Sequence, residues 1–166
     1  MTVIIKKFKF LQVQLKNNIL KLIFIASFAI LLSSCNSKNT GPYGILNDSF
    51  YPCSKEGICI SSRNNIEDKP RYVEPIKFYE TKKVAYEKIN KLLLKYNAQI
   101  ISKKSEYIHA KLTSSFGTER NAEFHFLQNE NIVHMKMTTS SIWPDFGKTR
   151  NLLEEIKFKF FQHDIN

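Results

Sequence analysis

From Thr81 onward the apolar and polar positions alternate regularly enough to predict elements. Val84, Ala85, Ile89, Leu92, Leu93 and Tyr96 recur close to every 3.6 residues, with Lys82, Lys83, Lys91 and Lys95 between them. This predicts a helix capped by Thr81 and ending near Asn97. Four strand-like runs follow, over residues 99–103, 107–115, 122–128 and 132–140. A last helix over residues 148–162 directs Leu152, Leu153, Ile156 and Phe160 to a core, with Phe158 as a further candidate. Strands flanked by helices on no alternating schedule predict an α+β fold. Its antiparallel sheet has about four strands, and two helices pack on one face.

The third and fourth strands fix their own register. With residues 128–131 as the turn, Phe126 faces Val133, Phe124 faces Met135, Glu123 faces Lys136 and His125 faces His134. The apolar faces then coincide and opposite charges oppose each other. On the preceding strand Ile108, Ala110 and Leu112 point to the core, leaving Tyr107, His109 and Lys111 outward. The second face of the sheet therefore gathers Tyr107, His109, Lys111, Glu123, His125, His134 and Lys136, and is expected to be a solvated polar face. His109, His125 and His134 could converge on zinc or copper, but no Cys or Asp joins them, so no metal is assigned.

Ahead of these elements the pattern is different. A basic lead is followed by an uncharged apolar run over residues 22–32 and then by Ser33, Ser34 and Cys35. That run is short of the ~20 apolar residues that span a bilayer, so it reads as a secretory signal rather than a membrane helix or a buried one. The ending Leu32-Ser33-Ser34-Cys35 resembles the bacterial lipobox. The resemblance implies cleavage before Cys35, diacylglycerol on its sulfur and membrane attachment in the cell envelope. The expected division is a signal peptide over residues 1–34, a lipidated N-terminus and linker over 35–48, and one domain over 49–166. Asn36 is not the Asp that retains enteric lipoproteins in the inner membrane, which favours the outer one.

Export changes the meaning of the cysteines and of the charge. Cys53 and Cys59, with five residues including Gly57 between them, are expected to pair in an oxidising compartment; free thiols and metal ligation are the alternatives. Of the 166 residues, 25 are basic and 15 acidic, giving +10. Five of those bases precede Cys35 with no acid among them, so the remainder carries +5. That remainder is spread over helix faces rather than interleaved with aromatics. It suits anionic head groups and gives no nucleic-acid partner. Residues 36–80, polar at first and then aperiodic with Pro70 and Pro75, read as a tether and an extended arm over the domain surface.

The chemistry-bearing motifs are few. No Gly-x-Ser-x-Gly elbow, phosphate loop or dinucleotide glycine cluster is present, and no cofactor is implied. Asp145 is placed to cap the last helix and Arg150 to pair with Asp145 or Glu154, with anion or peptide binding as the functional alternative. The candidate binding residues are thus Tyr107, His109, His125, His134, Asp145 and Arg150, and none is assigned as catalytic.

Several segments in order resemble the DUF1499 family of exported bacterial and plastid proteins. They are Pro52-Cys53, then Cys59-Ile60-Ser61-Ser62, Tyr72-Val73-Glu74-Pro75-Ile76, Tyr107-Ile108-His109-Ala110, Glu123-Phe124, and Asp145-Phe146-Gly147-Lys148-Thr149-Arg150. The resemblance covers about residues 50–160. Arg120 and Asn121 stand where the family has two acidic residues, and Lys136 and Ser140 where it often has two arginines. The expected protein is an envelope lipoprotein, a non-enzymatic module that binds an envelope protein or small ligand. The alternatives are a small envelope enzyme and a histidine-based metal binder.

Overall fold

The computed structural model describes residues 42–54, 57–140 and 144–162. The signal segment, Cys35 and the linker up to residue 41 lie outside them. The described residues belong to one compact unit. Element order is β1 (Ile45–Leu46), β2 (Ser49–Phe50), β3 (Ile58–Ser61), β4 (Ile76–Lys77), α1 (Lys82–Lys95), β5 (Gln99–Lys104), β6 (Tyr107–Thr113), β7 (Glu119–Leu127), β8 (Ile132–Thr139) and α2 (Lys148–Gln162).

The main sheet has six strands rather than about four, in the order β3-β8-β7-β6-β5, with β4 also on β8. β3 pairs with the Lys136-to-Thr139 half of β8 and β4 with Ile132 and Val133, so together they form a split outer edge. These strands are too short to show a period of their own, and their pairing is supplied by β8. The helices and the β7–β8 register follow the expectation: Phe126↔Val133, Phe124↔Met135, His125↔His134 and Glu123↔Lys136. Thr81 caps α1 through its side chain, and Asn97 takes a positive φ of 53° just past its end.

One sheet face and both helices share a core of Ile108, Ala110, Phe124, Phe126, Met135, Met137, Ile89, Leu93, Leu153, Ile156 and Phe160. The aperiodic arm also contributes Val73, Ile76 and Phe78, each almost fully buried, so it is not merely a surface segment. Two helical positions go the other way, since Val84 and Phe158 are exposed. The Cys53–Cys59 disulfide is formed. It ties β3 to the segment leaving the β1–β2 hairpin, whose turn residues Asn47 and Asp48 both adopt positive φ.

Candidate functional site

Pleating puts Tyr107 and His109 of β6, Glu123 and His125 of β7, and His134 and Lys136 of β8 on the face opposite the helices. The expectation of a solvated face is overturned for these six, all of which are buried, while Lys111 of the same expected face stays part-exposed beside Glu119. The cover is the chain over residues 43–51, a strap that crosses the sheet before β3. Tyr43 stacks on His109 at 4.5 Å and Phe50 meets His125 edge-on at 6.3 Å. The Lys136 ammonium lies 6.0 Å from the Tyr43 ring centroid and 5.9 Å from that of Phe50.

Burying a carboxylate and an ammonium requires that each be satisfied locally. Glu123 Oε1 accepts from the Tyr107 hydroxyl at 2.6 Å and from the Gly44 amide at 2.8 Å. Its Oε2 lies 3.0 Å from Lys136 Nζ, which also donates to the Tyr51 carbonyl at 3.0 Å. The strap thus supplies one donor to the acid and one acceptor to the base. Burial, followed by the charge of Glu123, pushes the Tyr107 phenol well above its ordinary range.

The histidine pair sits beside this cluster. Ser62 Oγ accepts from the Met135 amide at 2.9 Å and lies 2.9 Å from His134 Nδ1 and 3.3 Å from the Met135 carbonyl. His125 Nδ1 and His134 Nε2 have no hydrogen-bond partner among the described residues. Burial, then the nearby Arg63 charge, lowers both imidazoles, that of His134 to about 4, so both are neutral at pH 7. A serine within reach of a histidine is the start of a nucleophile–base pair. Here the far nitrogen of the imidazole has no orienting group and the serine oxygen is held by the Met135 backbone. The contact instead pins the residue after β3 to β8. His109 Nε2 lies 3.1 Å from Asn121 Oδ1, away from the other two histidines. Among the described residues no three His, Cys, Asp or Glu side chains gather to hold a metal ion.

Asp145 lies at the end of the sheet where β6 turns into β7. Its Oδ2 accepts from the Thr149 amide at 2.6 Å and its Oδ1 from Arg120 at 3.0 Å, while Arg120 Nε donates to Thr149 Oγ1 at 3.0 Å. Burial would raise the Asp145 carboxyl, but hydrogen bonds from Thr149 and Arg120 outweigh it and hold the group below its usual value. The capping role expected of Asp145 is present. Its expected partnership with Arg150 is not, nor is the alternative with Glu154: Arg150 donates instead to the carbonyls of Lys69, Pro70 and Tyr72. Backbone carbonyls of an aperiodic segment leave no sequence pattern, so this clamp was illegible. Arg120, noted above only as a departure, is the true ion-pair partner.

Two clefts open at opposite ends of the sheet. One, of about 450 Å³, is lined by Ser114, Phe116, Arg120, Asp145, Lys148 and Leu152, among others. The other, also about 450 Å³, is lined by Asn47, Asp48, Arg63, Glu106, Gln128 and Glu130, among others. The strap turn forms a wall of the second. Sequence reasoning missed it, because it treated residues 36–80 as tether and arm.

Residues 49–160 match the family described as "Protein of unknown function (DUF1499)". No curated protein and no solved structure matches the chain.

Proposed function

The chain belongs to the DUF1499 family, and on that premise we propose that it is a cell-envelope lipoprotein, attached to a membrane through Cys35, whose domain is a non-enzymatic binding module. The observation that carries this reading is the strap. It gives Glu123 and Lys136 partners within the domain, Glu123 in turn holds Tyr107, and the Ser62–His134 pair is buried, so the polar chemistry of this face serves to close the fold. The open cleft by the strap turn offers carboxylates, a guanidinium and amide side chains to an envelope protein or small polar ligand. The lipid anchor rests on the lipobox resemblance, and an outer-membrane destination on Asn36.

The test is complementation of a deletion strain by full-length variants. Ser62→Ala and His134→Gln should restore any envelope phenotype, whereas Cys35→Ser should release the protein from membranes or block its processing. In vivo crosslinking from Arg63 or Glu130 should capture a neighbour. Loss of complementation by Ser62→Ala, with the domain folded and abundant, contradicts a non-enzymatic module.

A further inference from the structure

We propose that the cleft at the Asp145 end of the sheet is a second binding site, one that takes a carboxylate carried on an apolar chain and holds it against the unused nitrogen of the Arg120 guanidinium. Arg120 continues the core-facing row of β7, opposite Leu112 on β6, and only 6% of it is exposed. A guanidinium carries five N–H donors. Nε donates to Thr149 and Nη2 to Asp145, and Arg120 makes no other hydrogen bond among the described residues. Nη1 is not sealed in the interior either, so its donors open onto the cleft that Arg120 lines. A cation set this deeply, with one nitrogen unused and facing open space, is a ready partner for an anion.

The surrounding charges leave room for one negative group. Asp145 is engaged through both oxygens, Oδ1 by Arg120 and Oδ2 by the Thr149 amide, so the start of α2 is already capped and is not what draws the ligand. The second cation of the cleft is Lys148, which is exposed and has no ion pair among the described residues. Two bases against one acid leave the lining at +1. Flanking charges along the chain are committed elsewhere, Glu119 to Lys111 at 2.9 Å and Arg150 to the carbonyls of Lys69, Pro70 and Tyr72. A single carboxylate balances +1, whereas a phosphate monoester, at about −1.5 to −2, exceeds it. The rest of the wall suits an apolar chain. Phe116, Pro144 and Leu152 line the same cleft, and the Phe116 ring is 91% exposed. A few polar groups set in such a wall, around about 450 Å³, have the form of a small-molecule site. The head group meets Arg120 and Lys148 while the chain covers Phe116, which selects an amphiphilic anion over a bare one. This site depends on neither lipid attachment at Cys35 nor the cleft by the strap turn.

The chain from Asn36 retains every described contact and carries no lipid. Labelled with nitrogen-15, it is titrated with octanoate and, for comparison, with 1-octanol, which lacks the charge, acetate, which lacks the chain, and octyl phosphate. Octanoate should move the amide signals of Phe116, Thr118, Lys148 and Thr149, and the Arg120 Nε–H signal with them, along one saturating curve. Acetate and 1-octanol should bind at least roughly tenfold more weakly. Lys148→Glu, at an exposed position with no ion pair to lose, should weaken octanoate by a similar factor while signals from the core strands stay in place. Equal binding of 1-octanol overturns the anion site, tighter binding of octyl phosphate overturns the carboxylate, and an unmoved Arg120 signal overturns its role. No saturable binding of octanoate, or equal binding by Lys148→Glu, overturns the site as a whole.

Discussion

Replacing Lys136 by Met leaves the Glu123 carboxylate buried with no cation beside it. Both side chains are nearly inaccessible, at 2% for Lys136 and 0% for Glu123. Removing one partner of such a pair costs about 3–5 kcal/mol, because the remaining charge keeps its desolvation penalty and loses its compensation. That is a large share of the roughly 5–15 kcal/mol that stabilises a typical domain. Adding Glu123→Gln removes the stranded charge. The amide oxygen can still accept from Tyr107 and Gly44, whose donors lie 2.6 and 2.8 Å from Glu123 Oε1. The double variant should therefore be more stable than Lys136→Met alone, with a coupling of about 2 kcal/mol between the sites. Urea denaturation followed by circular dichroism on the chain from Asn36 measures all four corners of the cycle. If the two single costs add to within about 0.5 kcal/mol, Glu123 and Lys136 are not coupled as a buried ion pair and the reasoning fails.

Acid should loosen the same face. The unfolded His134 binds its proton near pH 6.5 and the folded one only at about 4, so the unfolded state holds more protons between those values. Stability then falls as pH drops through that window, by at most about 3 kcal/mol, and His134→Gln should flatten the dependence measured by urea titration at pH 7 and 4.5. Gly57 has a φ of +79° and its Cβ would lie 2.6 Å from the Thr139 carbonyl oxygen. Gly57→Ala should accordingly cost about 2 kcal/mol or more, read as a lower urea midpoint at unchanged slope.

How much of this was legible in the sequence depended on whether a segment carried its own period. Residues 81–162 did: α1, α2 and the β7–β8 register follow from apolar spacing and from complementary pairs such as Glu123 and Lys136. The strap did not. Its hairpin strands have two residues each, and its purpose lies in what it covers. Reading one strand at a time placed Tyr107, His109, His125 and His134 correctly on a common face. It then assigned that face to water, because nothing local in Tyr43, Phe50 or Tyr51 announces a partner about 60 to 85 residues away. Val73, Ile76 and Phe78 were overlooked as core for the same reason, being spaced by prolines and turns. Asp145 was found through its position before a helix. Arg120, on a different element, became its partner only once the chain folded.

Lipid attachment at Cys35 is the claim on which membrane residence and the envelope role both depend, and the mass of the N-terminal peptide from protein extracted out of membranes tests it most directly. The expected peptide begins at Cys35 and carries diacylglycerol on sulfur, with or without an acyl chain on the amine. An unmodified Cys35, or a peptide that reads through it from residues before it, contradicts the claim.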